Sequence, residues 1–238
     1  GVSLFMALLA GFDVLMARVS GRDDVTVGTP IANRTMTELE SIVGFFANTL
    51  ALRVDLAGNP TFAEVLGRVK ETADGAYAHQ DVPFDMVVDA VAPQRSLSHS
   101  PLFQVRFALQ NMPGGLPGAG EGLTLTEIES EQVTARFDLV VDLWETEDGL
   151  QGHAEYSTDL FDAETVARLM RRYEALLGRL VADPAQRILD TDLLLPGEHA
   201  ELDTLAGTAA NTDADGPTFL ERFREQVAHR PEEPAVTC

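Results

Sequence analysis

Val43-Gly44-Phe45-Phe46-Ala47-Asn48-Thr49-Leu50-Ala51-Leu52-Arg53 and His79-Gln80-Asp81-Val82-Pro83-Phe84-Asp85 are the two runs on which the reading of this chain turns. Each mixes side chains able to hydrogen-bond with bulky apolar ones, which suits a lined cavity better than a plain core. Between them, Thr49 to Leu56 alternates and predicts a strand, closed by Gly58-Asn59-Pro60. Thr61 followed by Glu64 is a capping-box pattern. Behind it Phe62, Val65, Leu66, Val69, Ala73, Ala76 and Tyr77 predict one apolar helix face running towards His79. Pro83 fits an early position of a further helix carrying Phe84, Val87, Val88 and Val91.

Working outward, Leu4, Phe5, Leu8, Leu9, Phe12, Leu15, Met16 and Val19 predict a helix buried on more than one side, stopped at Ser20-Gly21. Val25 to Ile31 reads as a strand whose end Pro30 places near a sheet edge. Asn33 to Phe46 is mixed, with Leu39, Ile42 and Val43 at short helical spacing. Downstream, Leu102 to Leu109 reads as a strand and Asn111 to Gly120 as a surface loop. Leu123 to Ile128, Phe137 to Glu145 and Leu150 to Tyr156 read as three more strands, the last two joined by a hairpin turn at Glu147-Asp148-Gly149. A long helix follows from Ala163, capped by Asp162, striped with Val166, Leu169, Met170, Tyr173, Leu176, Leu177 and Leu180, and ended by Asp183-Pro184. Residues 203–217 have linker composition, Phe219 to Val227 is a short amphipathic helix, and Ala235 to Cys238 looks like a strand beginning. The element order gives an α/β fold: a two-layer mixed sheet covered by helices, its neighbouring strands near the end antiparallel.

The net charge of −21, from 17 basic against 38 acidic residues, argues against nucleic acid and anionic membrane as partners and serves solubility. No apolar run reaches membrane-span length, and the opening residues lack a basic leader and an initiator Met. We therefore expect no signal peptide, a chain that starts inside something larger or after processing, and a cytoplasmic setting, which the single cysteine, Cys238, also fits. The five histidines (His79, His99, His153, His199, His229) have no metal-site spacing, so no metal centre is expected. Nor is there a Gly-x-Ser-x-Gly elbow, a phosphate loop or a dinucleotide fingerprint. Asp23-Asp24 reads as a solvated strand entry rather than a catalytic carboxylate pair. His79 is the best candidate for chemistry, against the plainer reading that its ring fixes the turn into Pro83. Asn48 points into a pocket or forms a turn. Arg168, Arg172 and Arg179 share one helix face, with Arg171 nearby, and form either a basic island for an acidic partner or a solvated face helped by the helix dipole.

The first run resembles the Gly-x-Phe-Val-Asn-Thr motif of condensation domains from non-ribosomal peptide synthetases, with Ala47 where Val is usual. The second resembles that family's His-Gln-Asp-x-Pro-Phe-Glu motif, with Asp85 for the final Glu. Arg95-Ser96-Leu97-Ser98-His99-Ser100-Pro101-Leu102 resembles Arg-Asp-x-Ser-Arg-Asn-Pro-Leu, agreeing at Arg95, Ser98, Pro101 and Leu102. Asp24 to Arg34 is also family-like. The resemblance covers residues 1 to about 195 and matches the C-terminal half of such a domain. It implies a chloramphenicol-acetyltransferase-like half-domain forming one wall of a tunnel, with Asn48, His79, Gln80, Asp81, Arg95 and Ser98 as wall or scaffold residues.

The family's His-His-x-x-x-Asp-Gly motif, whose second His is its proposed catalytic residue, belongs to the other lobe and does not occur in these 238 residues. The resemblance thus implies a C-terminal lobe (1–195), a linker (196–217) and the start of an adenylation domain (218–238), inactive in isolation. Its implied partners are the N-terminal lobe, donor and acceptor carrier proteins bearing phosphopantetheine arms, and the adenylation domain, with no directly bound cofactor. The rival readings are a non-catalytic docking platform for carrier proteins, with Arg168, Arg172 and Arg179 as its basic island, and a stand-alone acyltransferase of the same fold.

Overall fold

The computed structural model describes residues 1–34, 36–91, 100–110, 134–206 and 218–231. The chain falls into two compact units, Gly1–Leu193 and Leu194–Cys238. In the first, α1 (Leu4–Ser20), β1 (Asp24–Ile31), α2 (Thr37–Glu40), β2 (Asn48–Asp55), α3 (Phe62–Ala78) and α4 (Phe84–Val91) are followed by β3 (Val105–Gln110), β4 (Leu139–Thr146), β5 (Gly149–Tyr156) and α5 (Ala163–Ala182). The five strands form one sheet in the order β2-β1-β3-β4-β5, parallel at β1–β3 and β3–β4 and antiparallel at both margins.

One face of the sheet carries the core. Period-2 alternation turns Val25, Val27, Leu50, Leu52, Val54, Phe107 and Val141 to that side, against α1, α3 and α5. Helix α1 lies between α3 and α5, so its apolar residues meet neighbours on several sides, as its all-round hydrophobicity predicts. Phe12 is fully buried, stacked on Phe107 at 4.9 Å between ring centres and edge-on to Tyr173 at 5.7 Å. Burying such a side chain contributes about 1.5–3 kcal/mol. The ends at Gly21, Thr61 and Asp162 follow the sequence expectation, and Ser3 adds a cap to α1. Ser3 accepts from the Met6 amide, Gly21 closes α1 at φ 68°, Thr61 and Glu64 complete a capping box, and Asp162 accepts from the Thr165 amide.

Several boundaries differ from expectation. Strand β3 starts at Val105, not Leu102: Leu102 has φ 68°, and the Phe103 amide donates to the Pro101 carbonyl (2.9 Å), folding the chain back before pairing begins. The mixed segment before β2 forms only the single turn α2. Strand β1 is an inner strand, but its pairing with β3 is registered at Gly28↔Arg106, and Pro30 lies beyond that point with no N–H to extend a ladder. The edge that Pro30 signals is therefore local, at the end of β1. The second unit contains α6 (Glu198–Leu205), within the range expected to be linker, and α7 (Phe219–His229), which has its own Thr218–Glu221 capping box. The sequence of α6 has no apolar stripe to announce a helix. The expected loop at 111–120, the strand at 123–128 and the tail strand lie outside the described residues.

Candidate functional site

Asn48, the first residue of β2, joins the two motif runs. Its Nδ2 donates to the carbonyls of Gln80 (2.8 Å) and Val82 (2.7 Å), and its Oδ1 accepts from the Phe84 amide (3.2 Å). Two carbonyls on one end and an N–H on the other fix which way the amide points. The clamped segment is itself a tight turn at the end of α3, with the His79 amide donating to Ala76 and the Val82 amide to His79. The Asn48 amide therefore holds the turn into Pro83, while His79 and Asp81 are exposed and Gln80 is half-buried.

Phe84, delivered by that turn, packs 5.5 Å from Phe103, which stacks on Phe137 at 5.5 Å. This trio covers the sheet face opposite the core at Gly28. A Cβ at Gly28 would come within 2.1–2.5 Å of the Phe103 ring, so only glycine permits the close approach. Arg34 braces the other side of the first motif. It donates to the carbonyls of Leu39, Ile42 (2.9 Å) and Gly44 (3.2 Å) and lies 4.4 Å over the Phe46 ring. Val43 and Phe45 nevertheless remain almost wholly exposed.

Beyond Gly28 and Arg106 the ends of β1 and β3 form the walls of a cleft of about 600 Å³. Thr29 to Ala32 line one side and Arg106 with Ala108 to Gln110 the other, with Phe5, Ala47 and Tyr77 completing the lining. Ala47 sets the Asn48 clamp at the rim of the cleft. The carboxyl ends of parallel strands are where open α/β sheets place ligands. The lining is mostly apolar, with Thr29, Tyr77, Arg106 and Gln110 as polar groups, a composition suited to a largely apolar ligand oriented by a few polar contacts.

Arg106 is a residue that motif reading missed. Its Nη2 pairs with Asp142 Oδ2 across β3 and β4, and His153 Nε2 on β5 lies 3.5 Å from the same oxygen. Asp142 is buried, yet its Oδ1 and Arg106 Nε have no hydrogen-bond partner among the described residues. An arginine set between Val105 and Phe107 was the available signal, but its partner on another strand was not.

Elsewhere the candidates separate. Asp24 pairs with Arg53 (Nε–Oδ1 2.8 Å), and the Arg53 hydrogen bond holds its carboxyl below the usual range, as suits a solvated strand entry. Arg168, Arg172 and Arg179 are half-buried rather than fully outward, and Arg179 donates to the Asp192 carbonyl (2.6 Å); Arg171 is the exposed one. Arg95 and Ser98 lie outside the described residues. Among the described residues no His, Cys, Asp and Glu cluster could hold a metal ion.

Comparison with known proteins gives a consistent result. One polypeptide of the linear gramicidin synthase of Brevibacillus parabrevis is 44% identical over 230 residues, covering 96% of this chain and 3% of that protein. Malpinin synthetase of Mortierella alpina is 41% identical over 239 residues, covering 99% of this chain and 3% of that protein. Among solved structures, the four-domain nonribosomal peptide synthetase AB3403 superposes with TM-score 0.76 at 28% identity, over 83% of this chain and 16% of that one. The X-domain from teicoplanin biosynthesis, solved in complex with OxyB, gives TM-score 0.70 at 32% identity, over 82% of this chain and 43% of that one. The chain thus spans a small part of its peptide-synthetase relatives, and its two-layer α/β fold is chloramphenicol-acetyltransferase-like. The condensation-domain family matches residues 1–203, and the chain belongs to that family.

Proposed function

We propose that this chain supplies the C-terminal lobe of a peptide-synthetase condensation domain and forms one wall of its reaction tunnel. The observation that carries this reading is the Asn48 clamp, which fastens both family motifs into one rigid edge beside the cleft. In the reaction an acceptor aminoacyl amine attacks the carbonyl of a donor thioester. The new C–N bond forms, the C–S bond breaks, and the thiol of the donor's phosphopantetheine arm leaves with a proton. Holding the reactants in line supplies much of the rate. Proton handling falls to a His of the His-His-x-x-x-Asp-Gly motif in an N-terminal lobe, and Asn48, His79, Gln80 and Asp81 act as wall or scaffold. The partners are that lobe, donor and acceptor carrier proteins, and an adenylation domain opening at residue 218 after the linker. A cytoplasmic site fits an acidic chain in which no described helix is long and apolar enough to cross a membrane.

One observation favours a second reading, a docking platform without chemistry of its own: the similar teicoplanin X-domain is solved in complex with OxyB. Mass spectrometry of amide formation from loaded donor and acceptor carrier proteins separates the two. We expect no product from the 238-residue chain and product once the upstream residues are restored. Product from the short chain would overturn the lobe reading, and none from either would favour the platform.

A further inference from the structure

Arg106 is the only charged side chain among the described residues lining the cleft, whose walls are otherwise set by groups such as Phe5, Pro30, Ile31, Ala108 and Leu109. A lone guanidinium against apolar walls would be costly, and Asp142 neutralises it from the next strand. The register explains why they meet: Arg106 pairs with Val140 and Ala108 with Asp142, so the two charges are diagonal neighbours on one sheet face. About a quarter of the Arg106 side chain remains exposed. A guanidinium has five N–H donors, and in the described residues only Nη2 is engaged, on Asp142. The cleft therefore holds hydrogen-bond donors without a net positive charge.

We propose that the Arg106–Asp142 pair is a specificity-determining element that favours an acyl group bearing a neutral hydrogen-bond acceptor, a carboxamide or hydroxyl, over a carboxylate or a purely apolar chain. The inference rests on the reading of the cleft as tunnel wall. A neutral acceptor takes up the Arg106 donors that remain exposed to the cleft. A carboxylate gains from Arg106 but is repelled by Asp142 beside it. An apolar side chain leaves the N–H groups that Asp142 does not engage desolvated and without acceptors, the situation in which hydrogen-bonding sites discriminate most.

The test uses the complete synthetase module, with carrier proteins loaded with glutamine, glutamate or methionine, similar in size, at the donor and acceptor positions in turn. We expect the unaltered protein to favour glutamine at one of the two positions. Asp142→Asn, which keeps the shape and removes the charge, should raise glutamate relative to glutamine by about tenfold, on the scale of one hydrogen bond to a charged group. Arg106→Met should erase the advantage of glutamine over methionine by a similar factor. Unchanged ratios at both positions in a folded Asp142→Asn variant would overturn the inference, even if total rates fall, because a merely structural pair would slow all three substrates alike. Failure of the unaltered module to form any amide would instead sink the tunnel reading on which the inference rests.

Discussion

On the helix-covered face of the sheet, Val27, Leu52, Val54, Phe107 and Val141 vanish beneath α1, α3 and α5, and the packing there is apolar and close. On the other face, Gly28, Arg106, Asp142 and His153 carry a glycine under a ring and a partly buried ion pair, and Arg106 reaches the cleft at the strand ends. The same strands build both, since alternate residues point opposite ways. The first face secures the fold through contacts that are many and interchangeable. The second spends that stability on groups that tolerate few substitutes, which is the mark of a surface shaped for use.

The contrast breaks most sharply at Phe12. Its ring bridges Phe107 and Tyr173 in the closed core, so Phe12→Ala should destabilise the chain by about 3–5 kcal/mol, read as a lower denaturation midpoint. A loss that large is a sizeable share of a domain's whole stability. The Asn48 clamp makes fewer contacts, and its effect should be smaller but local. Asn48→Ala leaves the Gln80 and Val82 carbonyls and the Phe84 amide without their partner, at about 1–3 kcal/mol. Amide hydrogen exchange should speed up at residues 80–84 while the strands stay protected. Uniform acceleration across the sheet would show that Asn48 is a global support and not a clamp for the turn.

The closed face was the legible one. Leu4 to Val19, Phe62 to Tyr77 and Val166 to Leu180 announce their helices by period, and Thr61 with Glu64 announces a start, because those signals are local in the chain. The motif runs could be paired with a family, yet what joins them could not be read. Asn48 reaches residues 80–84 only because β2 and the end of α3 meet in space. The Arg106–Asp142 pair depends on a register between β3 and β4 that no single sequence fixes. The start of β3 escaped notice because the back-turn at Pro101 and Leu102 gives an apolar run that looks like strand.

Within the closed face one residue breaks the pattern. Asp13 is fully buried in α1, neither carboxyl oxygen has a hydrogen-bond partner among the described residues, and burial pushes its carboxyl well above the ordinary value. The same burial, with Asp13 nearby, raises the Tyr173 phenol, whose hydroxyl donates to the Leu8 carbonyl (2.9 Å). Because the folded form holds the Asp13 proton more tightly than the unfolded chain, the stabilising contribution is present below the ordinary Asp value of about 4 and is lost as pH rises towards the raised one. Asp13→Ala should flatten that slope and be the more stable protein at neutral pH, by about 1–2 kcal/mol, on the scale of an unpaired buried polar group after allowing for lost packing. Denaturation curves at several pH values check it. A variant as steep in pH as the parent would place the titration elsewhere.

Asp24 should show the opposite sign and the least effect. Its carboxyl is held low by the Arg53 hydrogen bond, so its contribution is present above the ordinary Asp value and is lost as pH falls through the lowered one. Both side chains are largely exposed, which lets water and salt screen the pair. Asp24→Asn should therefore change stability barely, and that small change should vanish in molar salt. If it persisted, the β1–β2 margin would owe its order to this pair and not to the Leu50, Leu52 and Val54 side chains beneath it. The division between a face that holds the fold and a face that carries the site would then fail at the very strand that carries Asn48.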